Sequence, residues 1–228
     1  MAHLETRHGD DGVRRLVLNR PDRHNALTTD LLADFADAVR DADGDCRVLV
    51  VEGAGESFSS GADVDEDSGV ERIDNFQDAT RAVRAFSGVV IGKLHGYVVG
   101  GGFELALSFD LRYAAHGTTF RLPETELGVT PTNASTRLLP LVVGDGRARE
   151  LLFTRRDLSA TEAEDVGLVA AACDPDELDE TVRAAATDIV ANTSPDGVEL
   201  TKEALERAFP VEEVLETESL LNRRSHER

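Results

Sequence analysis

The chain has 228 residues, and 44 Asp and Glu against 24 Lys and Arg give a formal net charge of −20 at pH 7. Such a charge repels phosphate backbones, so a nucleic-acid partner is excluded in the absence of a strong basic patch. The longest apolar runs, such as 138–143, fall far short of the roughly 20 residues of a membrane-spanning helix, so no membrane partner is expected.

In chain order, the apolar, β-branched stretch 13–19 reads as a strand, closed by the turn chemistry of Asn19-Arg20-Pro21-Asp22. Leu27, Leu31, Leu32, Phe35, Val39 and Ala42 then keep helical spacing, with Thr28 or Thr29 as N-cap and Gly44 near the stop. A short buried strand follows at 47–51, a helix at about 75–86 and a strand at 89–95. A glycine cluster opens an apolar helix at about 101–109, and 111–115 returns as strand. Strands separated by helices predict an α/β domain whose ligands gather at strand C-termini and helix N-termini. From residue 176 the pattern is helical, over 176–192, 195–208 and 211–223, which divides the chain into a core, 1–175, and a helical region, 176–228.

The first twenty residues carry charges throughout and hold no apolar signal segment, which points to a cytoplasmic protein. Cys46 and Cys173 have no Cys or His partner at metal or disulfide spacing, so no metal is expected and both read as buried apolar side chains. Only Lys93 and Lys202 are lysines, leaving 22 arginines. An acid-rich, lysine-poor surface suits concentrated salt, where the screening length shrinks to roughly 3 Å at 1 M.

Several chemistries drop out. Residues 55–59 miss G-x-S-x-G at the last position, and no P-loop, HExxH or GxGxxG fits. The glycosylation patterns at Asn133 and Asn192 read as chance matches in a cytoplasmic chain. Three features carry chemical meaning. Arg14, Arg15, Arg20 and Arg23 surround a single acid, Asp22, and either receive an anion or pair with acids elsewhere. A second run, Arg147, Arg149, Arg155 and Arg156, reads as a charged helix face. Residues 58–63, Phe-Ser-Ser-Gly-Ala-Asp, form a small-residue turn whose amides can approach a ligand oxygen. Glu104 stands in the first turn of an otherwise apolar helix, where the dipole favours an acid, but burial makes one expensive unless it is paired or functional.

Together, FSSGADV, KLHGYVVGGGFELALSFDL, LPETELGV, NRPDRHNAL and RARELLFTRRDLSATEAEDVGLV, in that family's order over nearly the whole chain, resemble the crotonase (enoyl-CoA hydratase/isomerase) family. The resemblance implies a spiral of ββα units with a C-terminal helical trimerisation region, assembled as a homotrimer or hexamer. It implies an acyl-CoA thioester substrate and no separate cofactor, coenzyme A being part of the substrate. The thioester oxygen would be held by the amides of Ala62 and Gly101, with Ser60, Asp63 and Gly100 in the surrounding turns and Arg20 or Arg23 toward the coenzyme. Glu104 would activate water for addition to C3 of an enoyl thioester, and Glu124 would deliver the proton to C2. Glu126 lies close to that position, and Glu124 otherwise reads as an acid in a helix first turn after Pro123. His24 and His95 are expected to be structural. An isomerase needs only one well-placed base, and a non-catalytic scaffold needs neither glutamate.

The chain also departs from that pattern. Residues 132–136, Thr-Asn-Ala-Ser-Thr, stand one residue short of the family's glycine-rich stretch lining the acyl pocket, and the loop after Asp63 is acidic, with Asp65, Glu66 and Asp67. The sequence stops at Arg228, where relatives continue through a further helix.

Overall fold

The computed structural model describes residues 3–9, 12–66 and 69–226, so Asp67 and Arg228 lie outside the described residues. Strands β1 (Leu4–His8), β2 (Val13–Leu18), β3 (Val48–Gly53), β4 (Val89–Leu94), β6 (Leu111–Ala115) and β9 (Ala171–Cys173) form a six-stranded sheet in the order β1-β2-β3-β4-β6-β9. Only β1 runs antiparallel to its neighbour. A second, three-stranded sheet is built from β5 (Tyr97–Val99), β7 (Thr119–Arg121) and β8 (Leu158–Ser159).

Each central unit repeats one path. A strand crosses the large sheet, a short extended segment enters the second layer, and a helix returns. β4, β5 and α3 (Gly101–Leu107) form one such unit. β3 leads to a bridge between Ser59 and Val98 and on to α2 (Gly69–Ala85). β2 leads to a bridge between Leu27 and Ala62 and on to α1 (Thr29–Ala42). This is the expected ββα spiral. The second strand of each unit escapes sequence reading, because two or three residues are too short to show alternation. α4 (Ser135–Val143) and α6 (Ala160–Asp165) escape it too, while α5 (Asp145–Thr154) carries the expected charged helix face.

Within β3, Leu49 and Val51 join the main core beneath α1, α2 and α3, while Val48 and Val50 face the opposite side. Strand periodicity therefore buries both faces of the sheet. α7 (Leu178–Asn192) covers the second face with Leu178, Val182 and Ala186. α8 (Pro195–Ala208) is pinned by buried Lys202, whose Nζ donates to Asp110 at 2.8 Å and to the carbonyls of Val83 and Gly88. α9 (Glu212–His226) lies across α2 and α4.

The Thr28 hydroxyl caps α1 by accepting from the Leu31 amide at 3.2 Å. Arg147 and Arg149 pair with Glu150 and Asp145 on α5, a charged helix face, whereas Arg155 and Arg156 lie beyond its end. Cys46 and Cys173 are half-buried rather than buried, at the margins of the two cores. Among the described residues no helix is long and apolar enough to cross a membrane.

The surplus of 20 negative charges has a measurable consequence. Raising KCl from about 0.1 M to about 2 M screens the repulsion, and the thermal midpoint is expected to rise by about 4 °C or more. Calorimetry across that range checks this, and an unchanged or falling midpoint contradicts salt adaptation.

Candidate active site

The site starts where β5 runs into α3. Gly100 sits at φ 52° and ψ −128°, a conformation L side chains rarely adopt, and turns the chain directly into the helix. Opposite it, Gly61 at φ 95° lies so close that an added Cβ would stand 2.8 Å from the Val99 carbonyl and 3.3 Å from the Gly101 nitrogen. Glycine there lets 60–62 approach 99–101, bringing Ala62 and Gly101 to one wall. The Gly101 amide is the first of its helix and has no intrahelical acceptor. The Ala62 amide donates to no backbone acceptor among the described residues.

Glu104 follows three residues after Gly101, so the helical turn directs it to the same side. Its side chain is 2% exposed. One carboxylate oxygen accepts from the Thr132 amide at 2.9 Å and the other from the Thr132 hydroxyl at 2.6 Å. Asn133 adds a longer contact at 3.4 Å. Burial pushes the Glu104 carboxyl up to about 7, against the Thr132 hydrogen bonds that favour its ionised form.

Glu124 is also buried, in the turn after β7. Residues 124–128 form a single turn rather than the start of a helix, with the Leu127 and Val129 amides donating to the Glu124 carbonyl at 3.0 and 3.1 Å. Its Oε2 is buried and has no partner among the described residues. Burial, then the charge of Glu104, push its carboxyl up to about 8. Burial and the nearness of the two carboxyls therefore raise both groups above the usual carboxylate range.

A cavity of about 370 Å³ is lined by both glutamates and by Ser60, Ala62, Gly100 and Gly101. A larger one, about 830 Å³, lies between α4, α7 and α8, where its charged groups pair as Lys202–Asp110 and Arg84–Glu206.

The remaining sequence candidates fall outside the site cavity. Asp63, 4% exposed, pairs with Arg20 at 2.8 Å. Arg23, half-exposed, reaches Asp65 and, at 3.4 Å, Asp63. Arg14 and Arg15 pair with Asp45 and Asp179. The arginine cluster thus takes the ion-paired alternative. Glu126 is turned outward to Arg121 and Arg155. His95 contacts the Gly55 carbonyl at 3.0 Å, and His24 contacts the Ser57 hydroxyl at 3.3 Å. Asn133 is fully buried, which excludes glycosylation there.

Sequence reading missed Thr132 as the residue that grips Glu104, and missed the lining residues Ile73, Phe76, Leu127 and Asn222. The interrupted glycine-rich stretch at 132–136 marked the right loop. Its hydrogen-bonding role appears only once the fold brings 132 beside 104.

Two amides without a backbone acceptor among the described residues and two buried carboxyl groups thus line one cavity. The chain matches the enoyl-CoA hydratase/isomerase family model over residues 8–228, and it belongs to that family. It is 36% identical over 206 residues to a short-chain-enoyl-CoA hydratase of Clostridium acetobutylicum, covering 86% of this chain and 78% of the relative. Its fold superposes on an enoyl-CoA hydratase from Mycobacterium avium subsp. paratuberculosis with a TM-score of 0.93 at 28% identity, covering 100% and 95% of the two chains. A monofunctional enoyl-CoA isomerase from M. smegmatis gives a TM-score of 0.78 at 34% identity, covering 91% and 93%.

The Glu124 carboxyl, raised in the fold from 4.5 to about 8, binds its proton more tightly folded than unfolded. Its contribution is present below about pH 4.5 and is lost as pH rises through about 8. The stability of Glu124→Gln relative to the unsubstituted protein is therefore expected to improve steadily from about pH 5 to about pH 9. Urea titrations of both proteins at each pH check this, and a constant difference contradicts it.

Proposed function

We propose that the protein is an enoyl-CoA hydratase that adds water across the C2–C3 bond of a short 2-enoyl-CoA. The observation that carries this reading is the pair Glu104 and Glu124, at about 7 and about 8, in one cavity with the amides of Ala62 and Gly101. The name of the Clostridium relative supports a short acyl chain.

In this reading the thioester carbonyl accepts from the Ala62 and Gly101 amides. Water held between the glutamates loses a proton to the Glu104 carboxylate as its oxygen bonds to C3. Electrons move toward the thioester oxygen, where the two amides stabilise the developing enolate, and one such donor is worth about 3 kcal/mol. The Glu124 carboxyl delivers its proton to C2. The site is left with the proton on Glu104, and its return to Glu124 resets the pair. Ser60 and Gly100 shape the wall beside the thioester, and Arg23 is the cation of the pair that reaches solvent on the coenzyme side.

We read 1–175 as the body that carries this chemistry and 176–228 as the helical region closing it. Exposed Leu200 and Leu205 on α8 and Phe209 just after it, with Leu220 and Leu221 on α9, support association into a trimer or hexamer. Isomerisation, or another acyl-CoA reaction of the family, is the competing reading, and the M. smegmatis neighbour supports the isomerase.

With crotonyl-CoA, loss of the enoyl-thioester ultraviolet absorbance is expected, and either Glu104→Gln or Glu124→Gln should lower kcat by about 100-fold or more. Isomerisation retained in Glu104→Gln while hydration is lost would favour the isomerase. The rate requires Glu104 ionised and Glu124 protonated, so kcat/KM should follow a bell with limbs near the values of about 7 and about 8. A flat profile between about pH 6 and about pH 9 contradicts the assignment.

A further inference from the structure

α9 sends two buried polar side chains, Glu218 and Asn222, one turn apart into the same loop, 130–136. Glu218, 1% exposed, accepts from the Ala134 amide at 2.7 Å, the Thr136 amide at 2.9 Å and the Thr136 hydroxyl at 2.6 Å. Asn222 donates its Nδ2 to the Thr130 carbonyl at 2.7 Å. Between these grips lies Thr132, whose amide and hydroxyl hold Glu104.

The loop needs holding. Asn133 and Ala134 both adopt left-handed backbone, at φ 59° and 57°, which costs a non-glycine residue about 1 kcal/mol or more. α4 begins at Ser135 with Ala134 as N-cap, a side chain that cannot satisfy the exposed amides. Glu218 supplies that cap from another helix. A helix cap needs no carboxylate buried this deeply, and no ion pair reaches Glu218 among the described residues; burial and the charge of Glu104 contribute to pushing it up to about 7. The charged or titratable groups facing Glu104 are Glu124 from the turn after β7, Glu218 from α9, and the cavity-lining Arg72 of α2.

We propose that Glu218 and Asn222 are positioning residues that clasp the loop at both ends, and so fix where Thr132 holds the Glu104 carboxylate. The kinetic part of this inference rests on the hydratase reading. The geometric part does not. Asn222 also lines the cavity, so the clasp ties α9 directly to the site.

Glu218→Asp keeps the charge and withdraws the carboxylate by one methylene. With crotonyl-CoA, kcat should fall about 10- to 100-fold while KM stays within about twofold. The acid limb of the pH profile should move to higher pH, because Glu104 loses donors that favour its ionised form. In a Thr132→Val background, where the hydroxyl contact is already gone and only the Thr132 amide still reaches Glu104, the same substitution should cost clearly less than it does in the unsubstituted protein. Wild-type kcat with an unshifted limb, or full additivity with Thr132→Val, overturns the proposal.

A readout independent of activity is the ¹³C NMR titration of the Glu104 carboxyl in substrate-free protein. Its midpoint should rise in Glu218→Asp, and an unchanged midpoint overturns the proposal whether or not the wild-type protein hydrates crotonyl-CoA. If Glu218→Asp does not fold, Asn222→Ala decides by the Glu104 titration in substrate-free protein, since it removes the Thr130 grip and leaves the Glu218 contacts in place. A smaller shift in the same direction supports the clasp, and wild-type titration and kinetics overturn it.

Discussion

A carboxyl group buried in the first turn of an apolar helix is the constraint on which the rest of the site depends. Glu104 lies at the start of α3 among Phe103, Leu105 and Ala106, all buried. Burial there raises its pKa, and the two hydrogen bonds from Thr132 and the dipole of the helix N-terminus oppose that rise without cancelling it. The opposite end of α3 is fixed as firmly. Buried Arg112 donates to the carbonyls of Ala106 at the end of α3, of Phe109 just beyond it and of distant Leu168, which ties the helix end to the loop before β9. Burial depresses that guanidinium to about 10, still far above neutral pH, so it remains a cation at the negative end of the helix.

Because α3 is anchored at both ends, the amide of Gly101 and the carboxyl of Glu104 keep a fixed relation. The second amide, of Ala62, comes from a different unit of the spiral and meets them only through the close approach at Gly61. Glu124 comes from a third unit, after β7. Four groups from three successive ββα units converge because each unit delivers its second-layer segment to the same end of the large sheet. The spiral therefore assembles the site from one repeated path rather than from one long loop.

What was legible in the sequence follows from the range of the interactions. The helix 29–42 was readable from six apolar positions and a capping threonine, and the strands of the large sheet from β-branched runs, because local periodicity encodes both. Glu104 was readable because an acid in an apolar helix is anomalous in itself. The short strands β5, β7 and β8 were not, since their pairing rather than their composition makes them strands. Thr132 is 28 residues from Glu104, and Glu218 is 84 from Ala134, so neither contact leaves a local trace. A partial signal did exist. Val211, just before α9, continues into Leu215, Glu218 and Asn222 on it as one buried stripe at spacings of four, three and four, and polar residues in such a stripe mark buried partners.

The arginine cluster near the N-terminus gains its meaning from where it does not point. The glutamate pair keeps a proton near neutral pH only because desolvation outweighs every stabilisation of the charged forms. A guanidinium within about 4–6 Å of either carboxyl would lower its pKa by about 1–3 units and ionise both. Arg20 and Arg23 lie on the 60–63 side of the site, and Asp63 and Asp65 engage them there. Arg72 lines the cavity, yet one guanidinium nitrogen is bound to the carbonyls of Asp63 and Glu66 at 2.9 and 3.1 Å. In a chain with almost twice as many acids as bases, local pairing of the nearby cations preserves the raised carboxyl pKa values. Carboxylates thus engage Arg20 and Arg23 on the 60–63 side, while backbone carbonyls engage Arg72 on the cavity wall.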